Sequence, residues 1–229
     1  MALTNNKEEN SKLTTEEIGD NHVATNINTP LRDDAFDLSR EEKIKKIAKN
    51  FEEIMVTLGL DLTDDSLQGT PKRVAKLYVN EFFDGLDPDK KPKATVFDNK
   101  FHYNNMLIEK NINIISNCEH HFLPIIGKAH VGYISSGKVI GLSKMNRIVE
   151  YYSKRPQVQE RLTRQIVDEL KKALNTEDVA VVIDTKHMCV TTRGIKDHES
   201  STVTMEYSGK FQEEDVRKEF LGYINMELK

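Results

Sequence analysis

The segment "NCEHHFLP" (117–124) sets one of the chain's two cysteines beside two histidines, and "KHMCVTTRG" (186–194) sets the other beside a third. Thiolate sulfur and imidazole nitrogen are the ligands that zinc favours, in a tetrahedron. Cys118 and His121 are spaced so that a turn can close both on one ion. In "HMC", His187 and Cys189 are two apart, so a strand would project them from one face. With His120 the inventory is two thiolates and three imidazoles, more than one zinc can use. A structural site is closed by four protein ligands, whereas a catalytic one keeps three and leaves the fourth position to water. Either segment alone reads better as a buried cysteine beside surface histidines, and the second is the weaker of the two. The repetition of the pattern at both cysteines is what points to a metal, and spacing leaves open which histidines ligate and which move protons.

Charged residues nearby suit an anion. In "GLSKMNRIVEYY" (141–152), Ser143 is placed to cap a helix, with Lys144 and Arg147 three apart on one face near its positive end. Arg193 shares strand parity with His187 and Cys189, and a guanidinium on that side suits a phosphate better than a core. Arg73 lies three past Thr70, the expected cap of an earlier helix. For each of these, an ordinary solvated helix start or surface cation is the plainer alternative. In "RPQVQERLT" (155–163), Gln159 and Glu160 open a helix, and Glu160 falls off its apolar stripe. A carboxylate there can accept two hydrogen bonds from adjacent N–H donors, as the guanine edge offers at N1 and its 2-amino group. Adenine, with an acceptor at N1, would be rejected.

The elements that must position these groups follow from periodicity. Residues 1 to 38 are polar and are expected to be a mobile extension. "SREEKIKKIAKNFEEIMVTLG" begins on a capping Ser39 with Glu42 completing the box, carries an apolar stripe of Ile44, Ile47, Phe51, Ile54, Met55 and Leu58, and stops at Gly59. "TPKRVAKLYVNEFF" follows, with Pro71 at its first position and Gly85 closing it. "NINIIS", "KAHVGYIS" and "KVIGL" are strand-like. "SKMNRIVEYYSK" and "RPQVQERLTRQIVDELKKALN" are helical, the latter with Pro156 early and Val158, Leu162, Ile166, Leu170 and Leu174 at four-residue steps. "VAVVID", "HMCVTTR" and "STVTMEY" read as strands, and "EEDVRKEFLGYINMEL" as a closing helix. The class is α+β, an antiparallel sheet with helices on one side. A 229-residue chain holds one domain plus a tail, and a net charge of −4 gives no general reason for nucleic acid or an acidic membrane as partner. No apolar run approaches a membrane span, and the N-terminus lacks the apolar core of a signal peptide. A reducing cytoplasmic location is therefore expected, which argues against a disulfide.

"CEHHFLPIIGKAHVGYI", "VIGLSKMNRIVEYYSKRPQVQERLT", "HMCVTTRGIKD" and "TPKRVAKLYVNEFFDGL" closely resemble the GTP cyclohydrolase I family, in register from about residue 40 to the C-terminus. The resemblance implies a domain over 39–229, helical over about 39–90 and catalytic over about 91–229. It implies zinc-dependent conversion of GTP and water to formate and 7,8-dihydroneopterin triphosphate, the entry to folates and other pterins. It also implies the tunnelling fold, an oligomeric barrel of antiparallel sheets with helices outside, assembled as a homodecamer with active sites at subunit boundaries. Carried over by position, Cys118, His121 and Cys189 are zinc ligands, and His120 and His187 are proton-transfer groups. Glu160 is the guanine anchor and Gln159 a second substrate-binding residue beside it in the pocket, Ser143, Lys144, Arg147 and Arg193 contact the triphosphate, and Arg73 reaches in from a neighbouring subunit. His22, His102, His130 and His198 match no functional position, and Glu119 stays outside the site. The alternatives are another purine or pterin enzyme of that fold, and a zinc-stabilised binding or assembly protein without activity.

Overall fold

The computed structural model describes residues 26–226. Helix α1 (Arg40–Thr57) starts on the expected capping box, Ser39 and Glu42 satisfying each other's backbone donors, and Gly59 ends it in the left-handed region. Of its apolar stripe Met55 is buried, while Leu58 is 72% exposed, so one chain covers the stripe only in part. A short helix α2 (Asp65–Gln68) leads into α3 (Thr70–Leu77), which continues as a π-helical turn over Tyr78–Phe82. Here Thr70 is the first helical residue and Gly69 precedes it as cap, one position from the expectation. Gly85 does more than close a helix. It is buried in a 3₁₀ turn, and a β-carbon on it would lie 2.0 Å from the Tyr151 carbonyl oxygen.

Strands β1 (Val96–Asp98) and β4 (Lys138–Ile140) form a small ribbon. The main sheet holds β2 (Met106–Cys118), β3 (Pro124–Ile134), β5 (Pro156–Gln157), β6 (Val179–His187) and β7 (Thr202–Tyr207), in the order β5-β2-β3-β6-β7. Its long pairs are antiparallel, β5 adds in parallel, and the sheet curls into half a barrel. The alternation in "NINIIS" is real: Ile112 and Ile114 are buried and Ile115 faces outward.

Helices α4 (Leu142–Ser153) and α5 (Gln159–Leu174) lie on one face of this sheet. Leu162, Ile166, Leu170 and Leu174 are fully buried against Ile114, Val131, Val181 and Ile183, as the four-residue spacing requires. The closing helix α7 (Glu214–Asn225) departs from the one-sided arrangement. Phe220 and Phe211 pack on Ala180 and Val182, which alternate with Val181 and so belong to the opposite face.

Three local expectations shift near the site. Ser143 is the second residue of α4 and Gly141 is its cap, with no side-chain cap bond. Pro156 precedes α5, in the two-residue strand that pairs Asn117 with Pro156 and Cys118 with Gln157. "HMCVTTR" is not a strand. β6 ends at His187, and Met188–Thr191 coil into a single helical turn, α6. The β-branched run suggests a strand, but the threonine hydroxyls bond back instead, Thr191 to the His187 carbonyl at 3.1 Å and Thr192 to that of Met188 at 2.6 Å. The same-face argument for His187, Cys189 and Arg193 therefore falls, and their proximity has another cause.

Candidate metal centre and adjoining cavity

Two turns meet at the end of the sheet. The β2–β3 connection is closed by Cys118 N–H donating to the Leu123 carbonyl and Phe122 N–H to that of Cys118, both at 2.8 Å. Phe122 holds φ at +54°, a left-handed conformation uncommon for an aromatic residue, with its ring against Phe83 at 5.1 Å between centroids. The α6 turn follows directly on the last β3–β6 pair, Ile125 with His187. Sheet register therefore delivers Cys189 to the β2–β3 turn. One ligand atom each from Cys118, His121 and Cys189 lies within 4.8 Å of the other two. Burial and the neighbouring Cys118 push the Cys189 thiol up, so two thiols side by side resist ionising together. A divalent cation reverses that penalty, and two sulfurs with one imidazole fit zinc with a position to spare. The Arg193 guanidinium already donates to His121 Nε2 at 2.6 Å.

His120 lies on the same turn, its Nδ1 3.6 Å from Cys118 Sγ. It shares a cavity of about 440 Å³ with Glu160 and Arg161 at the start of α5, Val158, Arg164, and Asn26 and Ile27. The structure thus joins the expected proton-transfer group to the expected base anchor. Half-buried His187, ending β6, is pushed down by desolvation, partly opposed by the Glu160 carboxylate. Gln159 is 2% exposed and outside the cavity lining, and its amide is committed to His187, Thr185 and two backbone carbonyls. Ser143, Lys144 and Arg147 line none of this cavity either. Arg73 is held locally by the Ser66 carbonyl and the Thr70 hydroxyl.

Two features went unseen in the sequence. Glu119, left outside the site, receives both terminal nitrogens of Arg161, at 2.6 and 3.2 Å, and the arginine side chain is only 3% exposed. Its backbone N–H donates to the Gln157 carbonyl at 3.0 Å, tying the metal turn to the start of α5. The polar extension lies outside the described residues up to position 25, as does His22. Beyond that it is anchored: Arg161 Nε donates to the Asn26 carbonyl at 2.8 Å and Gln165 to that of Ile27 at 3.2 Å. Pairs 38 (157 − 119) and more residues apart have no local signature.

The family model described as GTP cyclohydrolase I matches residues 47–225. A GTP cyclohydrolase 1 from Flavobacterium johnsoniae is 66% identical over 212 residues, 93% of this chain and 95% of that one. One from Aeromonas salmonicida is 52% identical over 200 residues, 87% of this chain and 91% of the other. One from Vibrio parahaemolyticus is 50% identical over 196 residues, 85% and 89% of the two. The chain belongs to the GTP cyclohydrolase I family.

Proposed function

We propose that this enzyme carries out the family reaction, GTP and water to formate and 7,8-dihydroneopterin triphosphate, at the Cys118–His121–Cys189 cluster and the cavity beside it. The observation that carries the assignment is the convergence of three ligand atoms within 4.8 Å next to a cavity lined by His120 and Glu160. Cys118, His121 and Cys189 hold zinc, which supplies a Lewis acid that makes water nucleophilic near neutral pH. Glu160 accepts from guanine N1–H and the 2-amino group and so fixes the base and its C8–N7 edge. His120 delivers a proton to N7, which makes C8 the electrophile that water attacks. His187 serves the proton transfers that follow as the imidazole ring opens and formate leaves. Ser143, Lys144, Arg147 and Arg193 bind the triphosphate, and Arg73 adds to it from a neighbouring subunit, positioning the substrate without touching the reacting atoms.

The assembly is a homodecamer of tunnelling-fold subunits in the cytoplasm, with residues 39–90 as helical support, 91–229 as the catalytic part and 1–38 as a polar extension. Two observations support a multimer. Ile115 and Ile126 pair across β2 and β3 on the sheet face away from α4 and α5, and both are exposed. Ser143, Lys144, Arg147 and Arg73 also do not line the cavity within one chain. None of the described helices is long and apolar enough to cross a membrane. The test is to incubate the protein with GTP before and after chelation and measure formate and oxidised-pterin fluorescence. Both products, lost on chelation and restored by zinc, are expected. Formate that persists after complete metal removal would overturn the metal assignment, and no product from zinc-loaded protein would overturn the reaction.

A further inference from the structure

We infer that Gln159 is a positioning residue that fixes the tautomer and direction of the His187 ring, and is not a contact for the purine. Four hydrogen bonds carry the inference. Gln159 Nε2 donates to the Thr202 carbonyl at 2.8 Å and to the Ile183 carbonyl at 3.1 Å. Gln159 Oε1 accepts from the Thr185 hydroxyl at 2.6 Å and faces His187 Nε2 at 2.8 Å. The amide cannot be turned over, because Oε1 would then face two carbonyl oxygens and no donor. With Oε1 so placed, the only partner it can offer His187 is an acceptor, so His187 Nε2 must carry the hydrogen. A neutral imidazole has one donor and one acceptor, which leaves Nδ1 as the acceptor nitrogen.

The surroundings make this hold rigid. Gln159 is the first residue of α5, and its two carbonyl partners belong to β6 and to the start of β7. Thr163, one turn later, donates to the Gln159 carbonyl at 2.8 Å. Both amide hydrogens and two acceptor directions of the oxygen are in use, so a purine could reach the side chain only by displacing a buried bond. Glu160, the next residue, points instead to the cavity. Adjacent residues at one helix start therefore divide two tasks, one on the protein side and one on the substrate side.

The role in turnover rests on the reaction proposed above, whereas the tautomer does not, and the experiment separates them. Histidine-selective ¹⁵N labelling reads the ring nitrogens of His187 in the zinc-loaded protein, assigned with His187→Gln. The wild type is expected to show His187 protonated at Nε2, and a ring protonated at Nδ1 would overturn the inference even if no variant folds. In Gln159→Met the tautomer preference is expected to be lost, with zinc retained, KM for GTP within about threefold and kcat down about a hundredfold. Thr185→Val removes the other donor to the same oxygen and is expected to keep kcat within about threefold, which separates the His187 bond from packing. A raised KM with unchanged kcat in Gln159→Met would make Gln159 a substrate contact and overturn the inference. Equal loss of kcat in both variants would reduce it to packing and also overturn it. Absence of turnover in the wild type would remove the proposed reaction while the nitrogen signals still decide the tautomer.

Discussion

His120 and His121 are chain neighbours with different surroundings. His121 gives a ring nitrogen to the cluster with both thiols, whereas His120 faces the cavity that Glu160 shares, its Nδ1 3.6 Å from Cys118 Sγ. Removing His120 should therefore spare the metal and cost proton transfer. His120→Ala is expected to retain full zinc occupancy by elemental analysis while turnover falls by about 10²- to 10⁴-fold. Loss of zinc instead would reverse the division between ligand and acid. Glu160 sits in the first turn of α5, where the helix end favours its negative charge while it waits for the base. Glu160→Ala should keep zinc and weaken GTP binding by at least tenfold in a calorimetric titration, and unchanged affinity would remove the anchor. Because cysteine is rare in the chain, both thiols stand out as candidate ligands, whereas spacing leaves the choice of histidine open and only the family resemblance narrows it. The work of Gln159 and of the Glu119–Arg161 pair could not be read from the chain, since each depends on partners that only the folded sheet supplies.

Elements position these residues through close backbone approaches as much as through side chains. Gly85 joins the helical N-terminal part to the end of α4: its N–H donates to the Lys154 carbonyl at 3.0 Å and its carbonyl accepts from Arg155 Nε at 2.8 Å. An added methyl would press on the Tyr151 and Lys154 carbonyl oxygens at 2.0 and 2.8 Å, and backbone cannot turn aside as a side chain can. Gly85→Ala should destabilise the fold by about 1–3 kcal/mol in a denaturant titration. Strand β3 offers a second test. Burial and the Lys110 ammonium push His130 down, with Asp184 opposing. Its folded pKa lies below the unfolded value of about 6.5, so the unfolded state gains the proton first as pH falls. The wild type is then expected to lose thermal stability from about pH 6.5 downward, and His130→Gln to lose less over the same interval. An equal loss in both would remove His130 from the acid response. The period of the apolar residues made these strands and helices readable, but the α6 turn was missed because threonine hydroxyls satisfied backbone carbonyls that a ladder would otherwise have used.

At the scale of the whole molecule, one chain leaves two things unfinished. Among the described residues, the sheet face opposite α4 and α5 is covered by α7 at one end only, and elsewhere it presents Ile115, Ile126, Val203 and Met205 to solvent. Strand β7 is also an open edge among the described residues, with β6 as its only neighbour in the sheet, and exposed apolar edges invite pairing with another chain. Meanwhile Ser143, Lys144, Arg147 and Arg73 lie outside the cavity that holds His120 and Glu160. Both gaps close at once if neighbouring copies cover the open face and bring their cations to the cavity. Charging that face should then dissolve the assembly and the activity together. Val203→Asp combined with Met205→Asp is expected to shift the light-scattering mass toward the single chain and to cut turnover by at least a hundredfold, with far-UV circular dichroism and zinc content retained. A small species that still turned over GTP at the wild-type rate would mean that one chain completes its own site. The triphosphate roles of those four residues would then have to be given up, because within one chain they do not line the cavity.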